Sequence, residues 1–439
     1  LHTSTYNKGQ KNMTIRDKYP ILRPSLNLDF ANSKVLDPRI TFTRASTGTF
    51  YNASGLLASA ANNVARFDHN PVTGESLGLL IEEQRTNLLT RSEEFNDVIW
   101  TKSDATVVPN VIIAPDGVTS AEKIVATTAT AFHNAQITPS VTTTVSCSVY
   151  AKKGEYNFCS LIMVGSTIRS ARTFNLTTGE ITNPFDTNST FISAQAVDVG
   201  NGWWRLTLSA TSAQFDFFRI GLAVDTINNH SNNGQTFAGD GVSGIYLWGA
   251  QVEAGSFATS YIPTVASQVT RNADVASMTG TNFTSWYRQD EGTLFAQTQR
   301  NGSSSTADEG AGIEVTDGSI QSNMMQLMYD NGSFNSAALR VFPGVGSFAI
   351  RSSGGSPNYI PGEPARTFAA AYKSANSGMS VSGTAVTTDT TVYTPPPVTF
   401  LSIRTASNGI QGSDFNGTIR RIIYYPIRLS NNQLRGITA

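Results

Sequence analysis

The stretch LGLLIEEQRTNLL (77–89) sets two carboxylates, an amide and a guanidinium side by side, at Glu82, Glu83, Gln84 and Arg85. Charged residues make up only 14% of this chain, so the cluster stands out. Paired carboxylates could cleave a glycosidic bond. On a β scaffold they would have to share a sheet face, and so sit at alternate positions of one strand. Glu82 and Glu83 are adjacent and point to opposite faces. Asp290-Glu291 and Asp308-Glu309 have the same defect, and Glu314 and Asp317 are out of phase. Asp37, Asp68, Glu75 and Asp116 fall near turns. The spacing therefore predicts no catalytic residue and no enzyme.

Metal and phosphate chemistry fare no better. None of His2, His69, His133 and His230 lies four positions from another, and there is no Cys-x-x-Cys or His-Glu-x-x-His. No Walker A loop or Gly-x-Ser-x-Gly elbow occurs; GDGVSG (239–244) lacks the lysine and the following helix, and reads as a turn. Asp414 with Asn416, or Asp225 with Asn228, could ligate calcium. Such residues far more commonly build Asx turns, so neither a metal nor a cofactor is expected.

Aromatic residues offer a better lead, because the apolar CH faces of sugars stack on Trp and Tyr. In GWWRLTLSAT, strand alternation puts Trp204 with Leu206, Leu208 and Ala210 on a core face. Trp203, Arg205, Thr207 and Ser209 fall on the wetter face. FDFFRIGLAV splits likewise: Phe218, Ile220, Leu222 and Val224 on one side, Phe217 and Arg219 on the other. If these strands are neighbours, Trp203, Arg205, Phe217 and Arg219 would line one glycan-binding surface; otherwise loops or a neighbouring subunit cover that face. Trp286 and Tyr287, before a turn in SWYRQDEGTLF, form a second candidate patch, although a core role suits Trp286 as well. Trp100 and Trp248 read as core.

These candidates need elements to hold them. The 439 residues suffice for two or three domains, and aromatics at 10% supply large core side chains. The net charge of −1, from 31 basic and 32 acidic residues without a long like-charge run, argues against a nucleic-acid partner. No apolar run reaches the length of a membrane span, and no secretory leader pattern is read at the start. Runs of four to ten residues broken by Gly, Asn, Asp or Pro predict an all-β chain of sandwich or jelly-roll type. We read an N-terminal arm (1–26), a small β module (27–90), a jelly roll (91–265) and a second sandwich (275–439). A hairpin is expected around Ser382-Gly383-Thr384. A closing helix is expected after Ser430, which has Gln433 at capping-box spacing. Cys147 and Cys159 would oppose each other across a hairpin, either in a strained disulfide or as buried free thiols of a reducing compartment; the second reading is preferred.

RITFTRASTGTFYNASGLL and ANNVARFDHNPVTGESLGLLIEEQRTNLL resemble a module of tailed-phage structural proteins. SVYAKKGEY, GWWRLTLSAT and GIYLWGAQVEAGSFATSYIPT resemble the phage version of a carbohydrate-binding jelly roll. GTLFAQ, RTFAAAYK, MSVSGTAV and GTIRRIIYYPIRLSNNQL are similar to concanavalin A-like or laminin-G-like sandwiches. The resemblance implies a virion protein assembled in the host cytoplasm: a homotrimeric tail fibre or appendage that contacts other tail or capsid proteins and host-surface polysaccharide. A purely structural decoration or adaptor protein is the alternative, and a glycan depolymerase is less favoured. In that module GLLIEEQRTNLL is a linker before the jelly roll, which implies that Glu82, Glu83 and Arg85 form structural ion pairs.

Overall fold

The protein is described by a computed structural model over residues 18–139, 141–225, 234–301, 309–319, 322–330, 336–344, 346–352, 364–404 and 415–439. Residues 1–17, including His2, together with Asn228, His230, Asp308 and Asp414, lie outside the described residues.

Two β-sandwiches carry nearly all of the structure. In the jelly roll, one six-stranded antiparallel sheet runs in the order Thr190–Asp198, Trp203–Phe215, Val141–Lys153, Gly244–Ala254, Thr119–Ala126, Ala105–Ile113. The other runs Ile181–Thr187, Arg169–Asn175, Phe158–Val164, Phe217–Ala223, Asn134–Ile137, Thr101–Ser103. Side chains two apart on each strand meet between the sheets: Leu206, Leu208 and Ala210 from one, Phe218, Ile220 and Leu222 from the other. Cys147 and Cys159 join this core from opposite sheets as free thiols. They are therefore not opposed across a hairpin, and burial pushes both thiols up.

The second sandwich is not continuous in sequence. Its larger sheet orders Thr387–Asp389, Ser377–Val381, Arg366–Lys373, Glu291–Arg300, Gly417–Tyr425, Ser76–Ile81 and Arg66–His69, with Leu26–Asp29 also paired to Gly417–Tyr425. Its partner sheet starts with Thr41–Thr43 against Val275–Thr279 and continues through Phe400–Arg404 to Phe348–Ser352. Residues 27–90 thus do not stand apart as a module, because most of their strands are woven into the C-terminal sheets. Leu26, Leu28, Phe42 and Leu79 share a core with Met278, Leu327, Ile419 and Tyr424. The physical reason is hydrogen-bond completion: these short strands have no partners among themselves adequate to cover an apolar face.

The jelly roll is consequently an insertion. Its stem is a two-stranded pairing of Arg85–Asn87 with Val269–Arg271, in which Arg85 faces Arg271. LGLLIEEQRTNLL leads the chain from the second sandwich into that stem. The small hairpin Gly48–Tyr51/Leu57–Ala60 leans on the jelly roll, where Leu57 and Tyr51 pack with Trp203, Val199 and Trp248. Two local expectations match the structure. Ser382 and Gly383 turn the chain with φ of 44° and 75°, the left-handed values that glycine tolerates. Ser430 caps helix Asn431–Thr438 through a reciprocal capping box with Gln433.

Candidate functional site

The aromatic candidates do not converge. Strands Trp203–Phe215 and Phe217–Ala223 lie in different sheets, so Trp203 and Arg205 face one side of the jelly roll and Phe217 and Arg219 the other. Trp203 is only 2% exposed, covered by Leu57, Val199 and Trp248, and its Nε1 donates to the Ile113 carbonyl at 3.1 Å. Phe217 is half-buried beside Ile162, Val164 and Phe132. Arg219 stands 5.7 Å from its ring and donates Nε–H to Gln136 Oε1 at 2.7 Å. Trp286 is 3% exposed in the second core, with its ring against Phe283 and Tyr424. Tyr287 stacks on Phe283 at 4.7 Å, so this pair forms no exposed patch. Trp203 and Trp286 share one reason: another part of the same chain covers them.

Arg205 is the exception among these six. It lines a cleft of about 290 Å³ where the hairpin, the jelly roll and the second sandwich meet. Jelly-roll strands contribute Gln195, Arg205, Thr207 and Tyr150; the N-terminal strands contribute Tyr51, Asp68 and His69; strand Glu291–Arg300 and its end contribute Gln299 and Asn301. Arg205 donates through Nη2 to the Thr259 carbonyl at 2.6 Å and to Ser148 Oγ at 3.2 Å. Its guanidinium lies 5.6 Å from the Tyr150 ring. Tyr51 Oη bonds Tyr150 Oη at 3.1 Å. The Tyr51 backbone then ties in the next two residues: its N–H donates to Asp68 Oδ1 at 2.7 Å, and its carbonyl lies 3.1 Å from His69 Nδ1. A carbonyl only accepts, so Nδ1 carries the hydrogen of that bond. Burial pushes Asp68 up to about 7, against the opposing pull of the Tyr51 N–H and the Arg66 charge. Nothing in the sequence distinguished Asp68 or His69, because their neighbours come from remote segments.

Below the cleft floor lies a buried ionic network. Glu82 pairs with Arg66 at 2.8 Å and Arg271 at 3.1 Å, and accepts Ser260 N–H at 2.7 Å and Ser260 Oγ–H at 2.6 Å. Asp274 pairs with Arg66, and with Arg44 at 3.0 Å; it also accepts the Glu82 N–H at 2.9 Å. Burial opposes ionisation of Glu82, but Arg271, Arg66 and the Ser260 bonds outweigh it and hold the carboxyl down at about 2. Glu83 pairs with Arg85, whose guanidinium lies 4.9 Å from the Phe257 ring. The network joins the second sandwich, the stem and the return segment at Ser260. Glu82 Oε2 takes both guanidiniums and the Ser260 hydroxyl, while Oε1 accepts the Ser260 N–H. Among the described residues no group of three or more His, Cys, Asp or Glu side chains gathers closely enough to hold a metal ion.

No family model and no curated protein matches the sequence. Similar solved structures include the CBM40 of Ruminococcus gnavus IT-sialidase bound to α2,6-sialyllactose, 14% identical over 35% of this chain and 85% of that one, with a TM-score of 0.30. Mouse laminin α1 chain domains LG4-5 are 8% identical over 81% of this chain and 92% of theirs, with a TM-score of 0.25. Trypanosoma rangeli sialidase in complex with the inhibitor DANA is 10% identical over 77% of this chain and 62% of its own, with a TM-score of 0.27. Likeness at this level carries no functional argument, and the sandwich architecture stands on the sheets themselves.

Proposed function

We propose that this protein is a glycan-binding component of a tailed-phage virion, a tail fibre or related appendage, acting as a homotrimer on host-surface polysaccharide. The observation that carries the binding role is the cleft. Its lining combines the half-buried Tyr51, backed by the buried Tyr150, with hydrogen-bonding groups from Gln195, Arg205, Thr207 and Asn301, the mixture that a polyhydroxylated ring requires. Placement in a virion rests on the motifs of the N-terminal segment and the jelly roll. We read the role as binding without catalysis, because the one strongly ionised carboxylate at the cleft, Glu82, is committed to Arg66, Arg271 and Ser260.

Labelled protein should bind host cells saturably and compete with infection. Thr207→Trp, which fills the cleft from a half-buried strand position, should abolish both without changing the oligomer. A properly folded oligomer that binds no host cell overturns the reading. A structural decorating role would then take its place. That role has one observation in its favour: the jelly-roll edge strand Ala105–Ile113 leaves Val108 and Ile113 exposed at 46% and 61%.

A further inference from the structure

We propose that the cleft selects an acidic sugar unit, with Arg205 receiving its carboxylate and His69 Nε2 accepting a hydrogen bond from a hydroxyl. This inference rests on the glycan-binding reading and names the ligand class for that site.

Arg44, Arg66 and Arg271 each touch Glu82 or Asp274 within ion-pair distance. Arg205 has no carboxylate within 4 Å among the described residues. Glu253, a buried carboxylate of the same sheet, is engaged instead by the Thr259 N–H at 2.9 Å and the Thr259 hydroxyl at 2.5 Å. Asp68, on the opposite wall, is pushed up to about 7 and so carries only about half a negative charge at neutral pH. A half-buried guanidinium therefore faces the cleft with no carboxylate in contact, Glu253 and Glu82 acting on it only from a distance, and a ligand carboxylate would supply the missing contact. Only its Nη2 is committed, to Thr259 and Ser148, and its buried Nε–H has no acceptor. A guanidinium with donors to spare suits the fork geometry of a carboxylate.

His69 supplies an independent observation. The residue is 5% exposed, and its Nε2 has no hydrogen-bond partner among the described residues. With Nδ1–H directed to the Tyr51 carbonyl, Nε2 is the acceptor of that tautomer, buried just behind the surface of a residue that lines the cleft, so a ligand hydroxyl reaches it with a small shift of the wall. A buried acceptor without a donor is uncommon in a folded protein and suits a sugar hydroxyl. Size agrees. About 290 Å³ holds about ten waters at ~30 Å³ each, comparable to one substituted sugar ring.

The test compares glucuronate, its methyl ester and glucose by ligand-observed NMR titration of the full chain at neutral pH. Glucuronate should bind about tenfold or more tightly than the ester or glucose, the fold-change of one charge-assisted hydrogen bond. Arg205→Gln should remove that preference. If this variant does not fold, the ester comparison on the wild-type protein decides alone. Equal binding of all three ligands overturns the acidic-sugar inference while glycan binding stands. If none binds although the protein still attaches to host cells, the cleft assignment is overturned and receptor binding lies elsewhere. If neither cells nor sugars are bound, both readings fall.

Discussion

Replacing Glu82 by glutamine removes one charge from the buried network and leaves the shape of the side chain intact. The magnitude follows from the carboxyl itself. Held at about 2 against an ordinary 4.5, its ionised form is favoured by roughly 3 kcal/mol. Removing one partner of a buried ion pair independently suggests about 3–5 kcal/mol. In the variant Arg66 keeps Asp274, but Arg271 loses the one carboxylate in ion-pair contact with it among the described residues, and an amide NH₂ can be turned toward a guanidinium. Glu82→Gln should therefore destabilise the protein by about 3 kcal/mol at neutral pH. The pH dependence has a definite sign. A depressed carboxyl contributes its stability above the unfolded-state value, and the contribution disappears as pH falls from about 4.5 through 2. Wild-type protein should lose stability across that window, and the variant should lose correspondingly less. Urea unfolding monitored by tryptophan fluorescence at several pH values between 2.5 and 7.5 measures both effects. A variant within about 1 kcal/mol of wild type at pH 7, or an acid limb shared by both proteins, would show that Glu82 carries no such charge-pairing stability.

Asp68 should behave in the opposite sense. Its neutral form is favoured by burial, so stability present below about 3.8 is lost as pH rises through about 7; Asp68→Asn should flatten that decline in the same unfolding series, and an unchanged slope would rule it out. Trp203→Ala should cost about 3–5 kcal/mol as a core truncation, because the ring is sealed under Leu57 and Val199. In thermal melts, a change below about 1 kcal/mol would mean that this face is open after all.

Local features were legible in the sequence. Alternation assigned the inward faces of Trp203–Phe215 and Phe217–Ala223, and the Ser430/Gln433 spacing announced the closing helix, because each depends on neighbours in the chain. What periodicity does not encode is what covers the second face of a strand. Trp203 looked wet because Arg205, Thr207 and Ser209 share its parity, yet a hairpin from residues 48–60 packs over it. The same limit concealed the sheet assignment of Phe217 and Arg219, whose strand is separated by the single residue Asp216 from a strand that belongs to the other sheet. The buried network was half visible. Glu82 stood out, but Arg44 and Arg66 meet Asp274 from 230 and 208 positions away. Asp68 was set aside as turn-proximal and His69 for want of a histidine at metal-ligating spacing, although they end a strand of the second sandwich and reach the cleft.

The nested arrangement of the two sandwiches has a consequence for synthesis on the ribosome. Ser25 donates its backbone N–H to the Tyr424 carbonyl, so the first described strand meets its partner 399 positions later. At about 5–20 residues per second, the early strands wait tens of seconds before Gly417–Tyr425 emerges. In that interval Leu26, Leu28 and Leu79 lack the neighbours that later bury them. The inserted jelly roll, whose strands all lie between Thr101 and Ala254, can close meanwhile. Once formed, it brings Arg85–Asn87 and Val269–Arg271 together, so its completion juxtaposes the two halves of the outer sandwich before the last strands arrive. Truncation after the jelly roll should therefore leave one folded unit and an aggregation-prone N-terminal segment, and the arrival of Gly417–Tyr425 determines when that segment is protected.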